Sequence, residues 1–218
     1  TAVPATATKT NTALPATNTL VAPPGGGNTL VPPTASSTTA SGDRSFYRAV
    51  NFGGNAVSIN GTAWDASNAA NVSLKAGTSQ GCNPYVAMTP TTDTATDQML
   101  ECYIEHWNHS ITLSAVPNAS YEVYVYTWQD WAEPSPGTVN FSVNATTMQS
   151  NYQISSQVGH WDKLGPWRVN VTGGSLALTT TGADIKLSGI EVWRVTSGAT
   201  APPTIIVQQP TATKTNTA

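Results

Sequence analysis

The chain has 218 residues, of which 39% are hydrophobic and only 10% charged, with a formal net charge of -3; an ordinary soluble domain carries roughly 25% charged residues. It contains no run of Lys or Arg that would displace phosphate counterions, and no apolar stretch near the roughly 20 residues of a membrane span. Neither a nucleic-acid partner nor membrane insertion is therefore expected. Of the 21 charged residues, 19 lie between positions 43 and 196, so the deficit is concentrated in the flanks.

Residues 1–42 are built mainly from Thr, Ala and Pro, 25 of 42 positions, a composition that cannot bury enough apolar surface to fold alone. They read as a linker, as do residues 197–218. Within the first, NTLVAPP at Asn18–Pro24 is echoed by NTLVPP at Asn28–Pro33, both favouring extended or polyproline II backbone. The phrase TATKTNTA at Thr6–Ala13 recurs 205 residues later at Thr211–Ala218. Two spacers of like composition would share such a phrase, and so would successive units of a tandem array. The N-terminus shows no basic region followed by an apolar segment, which reads as a mature or excised piece.

Residues 43–196 form the folding block. Period-two alternation and β-branched or aromatic content predict strands at Phe46–Phe52, Ala56–Asn60, Met99–His106, Ile111–Ala115, Tyr121–Trp128, Thr138–Val143, Thr147–Ile154, Trp167–Thr172, Ser175–Thr180 and Asp184–Val195. Gly, Asn and Pro punctuate them, and no sustained 3.6-residue period predicts a helix. The expected fold is all-β, an antiparallel jelly-roll β-sandwich. Cys82 and Cys102 would close a loop of about 20 residues as a disulfide, or remain two buried thiols; the Thr/Pro flanks favour the oxidised, extracellular or cell-surface reading.

The strand Tyr121–Trp128 separates into an aliphatic face, with Val123 and Val125, and a second face carrying Glu122, Tyr124, Tyr126 and Trp128. An outward aromatic face is either covered by other elements or a platform on which sugar rings stack. The strand runs into WQDWAEPSPG, so Tyr124, Tyr126, Trp128, Asp130, Trp131 and Glu133 are the candidate glycan-binding residues. A second aromatic and polar group lies at His160–Trp167. Catalysis finds little support: nucleophile-elbow, zinc-protease, P-loop and dinucleotide motifs are all missing. In HWNH, alternation sends His106 away from the face of Glu101, Tyr103 and Glu105, which argues against a transition-metal site and leaves no cofactor expected. Asp65, Asp93 and Asp97 are oxygen ligands available to a structural calcium ion, although nothing in their spacing is specific. Seven Asn-x-Ser/Thr sequons, at Asn60, Asn71, Asn108, Asn118, Asn140, Asn144 and Asn170, make a glycoprotein conceivable. The apolar run Thr204, Ile205, Ile206, Val207 is a candidate assembly strand for a neighbouring sheet edge, in a docking segment at 204–208.

Three phrases in order, YRAVNFGGNAVSINGTAWDAS, YEVYVYTWQDWAEPSPGTVNFSVN and GPWRVNVTGGSLALTTTGADIKLSGIEVWRV, resemble the signature stretches of malectin-like domains. The resemblance implies a galactose-binding-like β-sandwich, non-catalytic, attached to secreted or cell-surface proteins and often binding glycans; Trp128, Asp130 and Trp131 match its ligand loop by their place after the central strand. The flanks resemble the tethers of bacterial surface proteins. The expected function is a structural or adhesive module, one repeat of a cell-surface or filamentous assembly whose linkers dock on neighbouring copies and which binds glycan. The alternative is a carbohydrate-binding module of a secreted multidomain enzyme or adhesin. The expected partners are other copies of the chain and a polysaccharide or glycan.

Overall fold

The structure, a computed structural model, describes residues 44–132 and 134–196. Both linkers, Glu133 and the segment Thr204–Val207 lie outside the described residues. In chain order the elements are β1 (Arg44–Asn51), β2 (Val57–Ile59), β3 (Thr62–Ala66), β4 (Val72–Leu74), β5 (Ser79–Cys82), α1 (Thr94–Leu100), β6 (Cys102–His106), β7 (Ser110–Ser114), β8 (Ala119–Trp128), β9 (Thr138–Val143), β10 (Thr146–Gln153), β11 (Trp161–Val171), β12 (Ser175–Gly182) and β13 (Ile185–Val195).

Two sheets face each other. The larger runs β11-β8-β13-β1-β3-β2, with β6 also on β13 and β5 on β6; the smaller runs β10-β9-β12-β7-β4. Pairing between the named strands is antiparallel except between β1 and β3, where Val50 lies opposite Asp65 and Asn51 opposite Ala66. The expected β-sandwich is therefore observed. Between the sheets lie the inward residues of every long strand, among them Val123, Val125, Ile190 and Val192 from one side and Phe141, Leu113, Leu176 and Leu178 from the other. Tyr121 is fully buried here and donates its hydroxyl to the Pro117 carbonyl at 2.8 Å, which satisfies the one polar atom the ring brings inward.

A second apolar layer covers the other side of the larger sheet. Ile59, Trp64, Met88, Met99 and Leu100 pack there on Tyr126 and Trp128. The cover comes from the β2–β3 hairpin, the loop after β5 and α1. Alternation predicts a strand from Met99; instead Thr94–Leu100 is helical, and only Cys102–His106 is strand. Seven residues are too short to display a helical period, and the start signal is the N-cap, Asp93, whose carboxylate accepts from the amides of Ala95 and Thr96 and from the Thr96 hydroxyl. The strands β3, β4 and β5, three to five residues each, also escape a reading by alternation.

Because both faces are covered, Ile185–Val192 of β13 are buried without a break. Gly189 makes this possible: a methyl group there would fall 2.8 Å from the Trp64 ring and 3.1 Å from the Met99 sulfur. Beside it the buried Ser188 hydroxyl donates to the Leu100 carbonyl at 2.8 Å, satisfying a carbonyl that the end of α1 leaves open. Gly189→Ala should cost about 1–3 kcal/mol of stability by overpacking, measured by denaturant unfolding; an unchanged midpoint would show that the second layer is loosely held.

Candidate functional site

The expected aromatic platform divides. Tyr126 and Trp128 are 7% and 2% exposed, so the outward face of β8 is in this half a second core and offers no ring face to a ligand. Tyr126 packs edge-on against Trp64 at 5.4 Å and donates its hydroxyl to Glu191 at 2.8 Å. Tyr124 is half-buried in a different setting. Its hydroxyl accepts from Arg44 Nη1 at 2.6 Å, and Lys163 Nζ lies 4.3 Å from its ring centre. Around it, Glu122 takes Arg44 and Arg168 at 3.0 and 2.8 Å, and Glu191 takes Lys163 at 2.6 Å. Burial works against both carboxylates, but these bonds outweigh it and hold both below the ordinary glutamate value.

Asp130 and Trp131 stand apart from that ladder, in a cluster that joins several elements. On β6, Tyr103 and Glu105 share the face opposite the buried Cys102 and Ile104. On β13, Lys186 lies directly across from Glu105 in the strand register. Lys186 Nζ donates to Glu105 Oε1 at 2.6 Å and sits 3.4 Å from Asp130 Oδ1. Asp130 Oδ2 accepts from the Tyr103 hydroxyl and from Asn83 Nδ2, each at 3.4 Å.

The Lys186 side chain is only 7% exposed, and a buried charge persists only where it is paired. Burial opposes its charge, yet the bond to Glu105 and the field of Asp130 win and raise its pKa. The Tyr103 hydroxyl is pushed up by burial first and then by Asp130, so it stays a donor. One cation between two carboxylates leaves the cluster at -1. Lys186 Nζ also lies 5.3 Å from the Tyr103 ring centre and 5.7 Å from that of Trp131. Trp128 lies 6.2 Å from Tyr103, ring centre to ring centre, and so supports from within a site it does not itself line.

Among the described residues the exposed large hydrophobics include Trp131 at 51%, which lies against Lys186, and Trp107 at 66% and Tyr85 at 95%, which follow β6 and β5 in the chain. Trp107 follows the last residue of β6, and Tyr85 follows Asn83 by two positions; the Asn83 Oδ1 accepts the Tyr85 amide at 3.4 Å. Cys82 and Cys102 are register partners on β5 and β6 and are joined as a disulfide. That bond ties the strand that presents Tyr103 to the loop that presents Asn83. Of the expected site residues, then, Asp130 and Trp131 come together, while Tyr124, Tyr126 and Trp128 do not line the same surface. Tyr103, Asn83 and Lys186 were not expected in the site; the signal for the first was its place beside Glu105 on an alternating strand.

The group at His160–Trp167 is not open either. Trp167 is buried in the main core, Trp161 packs on the second layer with its indole N–H on the Pro90 carbonyl at 2.6 Å, and Asp162 is shared by Tyr152 and His160. Asp65 pairs with Arg48 and Asp93 caps α1, which gives those carboxylates separate structural partners. Among the described residues no three His, Cys, Asp or Glu side chains are placed to hold a metal ion, and no helix is long and apolar enough to cross a membrane.

No protein-family model matches the chain, and no curated protein matches it in sequence. In three dimensions it is similar to the extracellular domain of ANXUR1 from Arabidopsis thaliana, with a TM-score of 0.57 at 13% identity over 69% of this chain and 48% of that one. It is similar to a chain in the structure of the plant peptide RALF23 in complex with FER and LLG2, with a TM-score of 0.57 at 15% identity over 70% and 49% of the two chains. A β-glucuronidase from Bacteroides uniformis matches at 0.52 and 14% identity, over 68% of this chain and 18% of that one. The fold is a malectin-like β-sandwich. This chain spans about half the length of the plant chains it matches and under a fifth of the glucuronidase.

His109 is a pH-sensitive tie beside the cluster. Its Nε2 meets the Ile185 carbonyl at 2.8 Å, its amide donates to Thr180 Oγ1, and burial lowers its pKa from 6.5 to about 4. Between those values the unfolded chain binds a proton that the folded one refuses. Stability is thus complete above about pH 6.5 and falls by about 1.4 kcal/mol per pH unit towards 4. A His109→Gln variant, which can still donate to Ile185, should lose that component of the slope when thermal unfolding is followed from pH 7 to 4; parallel curves for the two proteins would contradict the assignment.

Proposed function

We propose that the chain is a non-catalytic extracellular module that binds a glycan at the Asp130–Lys186–Glu105 cluster. The observation that carries this reading is an internally paired ionic network, with its Lys186 side chain buried, beside the exposed Trp131 ring. Sugars need two things from a protein surface: flat rings under their apolar C–H faces, and fixed acceptors and donors for their hydroxyls. Trp131 supplies the first. Asp130, Glu105, Tyr103, Asn83 and Lys186 supply the second, already oriented by one another and by the disulfide, so that little side-chain freedom is lost on binding.

The malectin-like fold supports the reading, since it recurs in extracellular domains and in a glycoside-acting enzyme. It supports equally a place in a larger protein, because the matched chains extend well beyond the shared domain. The repeated phrase at Thr6–Ala13 and Thr211–Ala218 supports a second, compatible role as one unit of a tandem, adhesive cell-surface assembly, with Thr204–Val207 as a docking segment.

Glycan-array screening followed by titration calorimetry tests the proposal. Trp131→Ala and Asp130→Asn should each weaken binding at least tenfold, about 1.4 kcal/mol, while Thr147→Ala on the other sheet leaves it unchanged. Absence of binding to any glycan at millimolar protein, or binding indifferent to both substitutions, would refute it.

A further inference from the structure

The charges are not shared between the two sheets. The strands of the smaller sheet read VSL, SITLS, TVNFSV, TTMQSNYQ and SLALTTTG, without one Asp, Glu, Lys or Arg. Their inward residues fill the main core. Their outward residues are uncharged and mostly Ser and Thr, with Ala177 and Asn140 among them, and they align across the sheet: Ser73 lies opposite Thr112 and Thr112 opposite Ala177, while Ser110 lies opposite Thr179, Thr179 opposite Ser142 and Ser142 opposite Thr147. None of these side chains is buried. The nearest charges along the chain are Lys75 and Asp184, just beyond the ends of β4 and β12.

We propose that this face is a self-association surface, on which a second copy of the chain stacks sheet against sheet. Three observations select that occupant. First, the chain is net negative, so two copies repel over most approaches and least through a face without charge; cores of protein interfaces are depleted in charge for the related reason that burying it is costly. Second, an array of mostly short Ser, Thr and Ala side chains brings two sheets close without interlocking large groups, and its hydroxyls are both donors and acceptors, so the same surface satisfies itself across a two-fold axis. Third, the sheet's edges are poorly suited to growth. Strand β10 meets β9 with two register breaks and has Asn151 at φ 53°, and β4 has three residues, features that discourage strand addition at an edge. The face remains.

Five strands about 4.8 Å apart and some six residues long give roughly 450 Å² on each partner, about 900 Å² for the pair, short of the roughly 1,200 Å² that a stable pair buries in total. One contact is consequently weak, and it gains strength where linkers hold several copies together.

The full chain should show a mass that rises with concentration towards the millimolar range in sedimentation velocity, with little sensitivity to salt. Thr179 sits on the middle strand of the sheet. Thr179→Glu and Thr179→Lys should each weaken association at least tenfold while leaving the unfolding midpoint in place, and mixing the two variants should restore it. A monomer at millimolar concentration would overturn the proposal, as would association that ignores both variants. So would a monomeric chain whose flanking segments lose protection from protease in Thr179→Glu, which would place those segments on the face, or one whose retention on insoluble polysaccharide is lost in that variant.

Discussion

Burial of β8 and β13 on both faces is the constraint on which the rest of the domain depends. One face of this strand pair closes the sandwich; the other receives the β2–β3 hairpin, the loop after β5 and α1. Two-sided cover leaves nowhere for solvent to satisfy a polar side chain, so most polar groups on these strands carry a fixed partner, the buried indole N–H of Trp128 being an exception. Ser188 bonds the end of α1, Tyr126 bonds Glu191, and Glu122 is held between two arginines. The absence of a side chain at Gly189 lets the outer layer approach. Each is a local answer to the same demand that buried polar groups be paired.

The candidate site is a product of where that cover ends. β8 leaves the double layer at Trp128 and the chain turns outward through Asp130 and Trp131; β13 enters it at Ile185 and Lys186. Their ends meet the exposed side of β6, where Tyr103 and Glu105 stand. Lys186 is buried enough to require both carboxylates, and the carboxylates are thereby fixed as acceptors. The Cys82–Cys102 bond holds the remaining contributor, the loop with Asn83 and Tyr85, to the same strand. Preorganisation here follows from packing, with the exposed Trp131 ring beside Lys186.

Much of the sandwich was legible because long strands alternate: Thr138–Val143 carries its apolar residues at every second position, as do Val123 and Val125. The site was legible in part. Asp130 and Trp131 were visible as acceptor and ring on a turn, but Tyr126 and Trp128 alternate just as well when covered as when open, because a period of two reports which residues share a face and not what lies over it. The evidence for cover was elsewhere. The run Ile185–Val192 has too few polar residues for a half-exposed strand, and Asp93 before Thr-Ala-Thr marks a helix start too brief to show a period. Lys186 gave no signal at all, since its value lies in a cross-strand partner 81 positions away. Glu105 was weighed for a metal, and its partner proved to be an ammonium.

Native-state hydrogen exchange tests the central constraint most directly. Strands covered on both faces open only with the whole domain, so the amides of Leu187–Val192 in β13 should be the slowest in the protein, exchanging at the rate set by global unfolding, while those of edge strand β10 exchange by local opening. Exchange of β13 as fast as β10 would contradict the account, because the second layer would then be no part of the core.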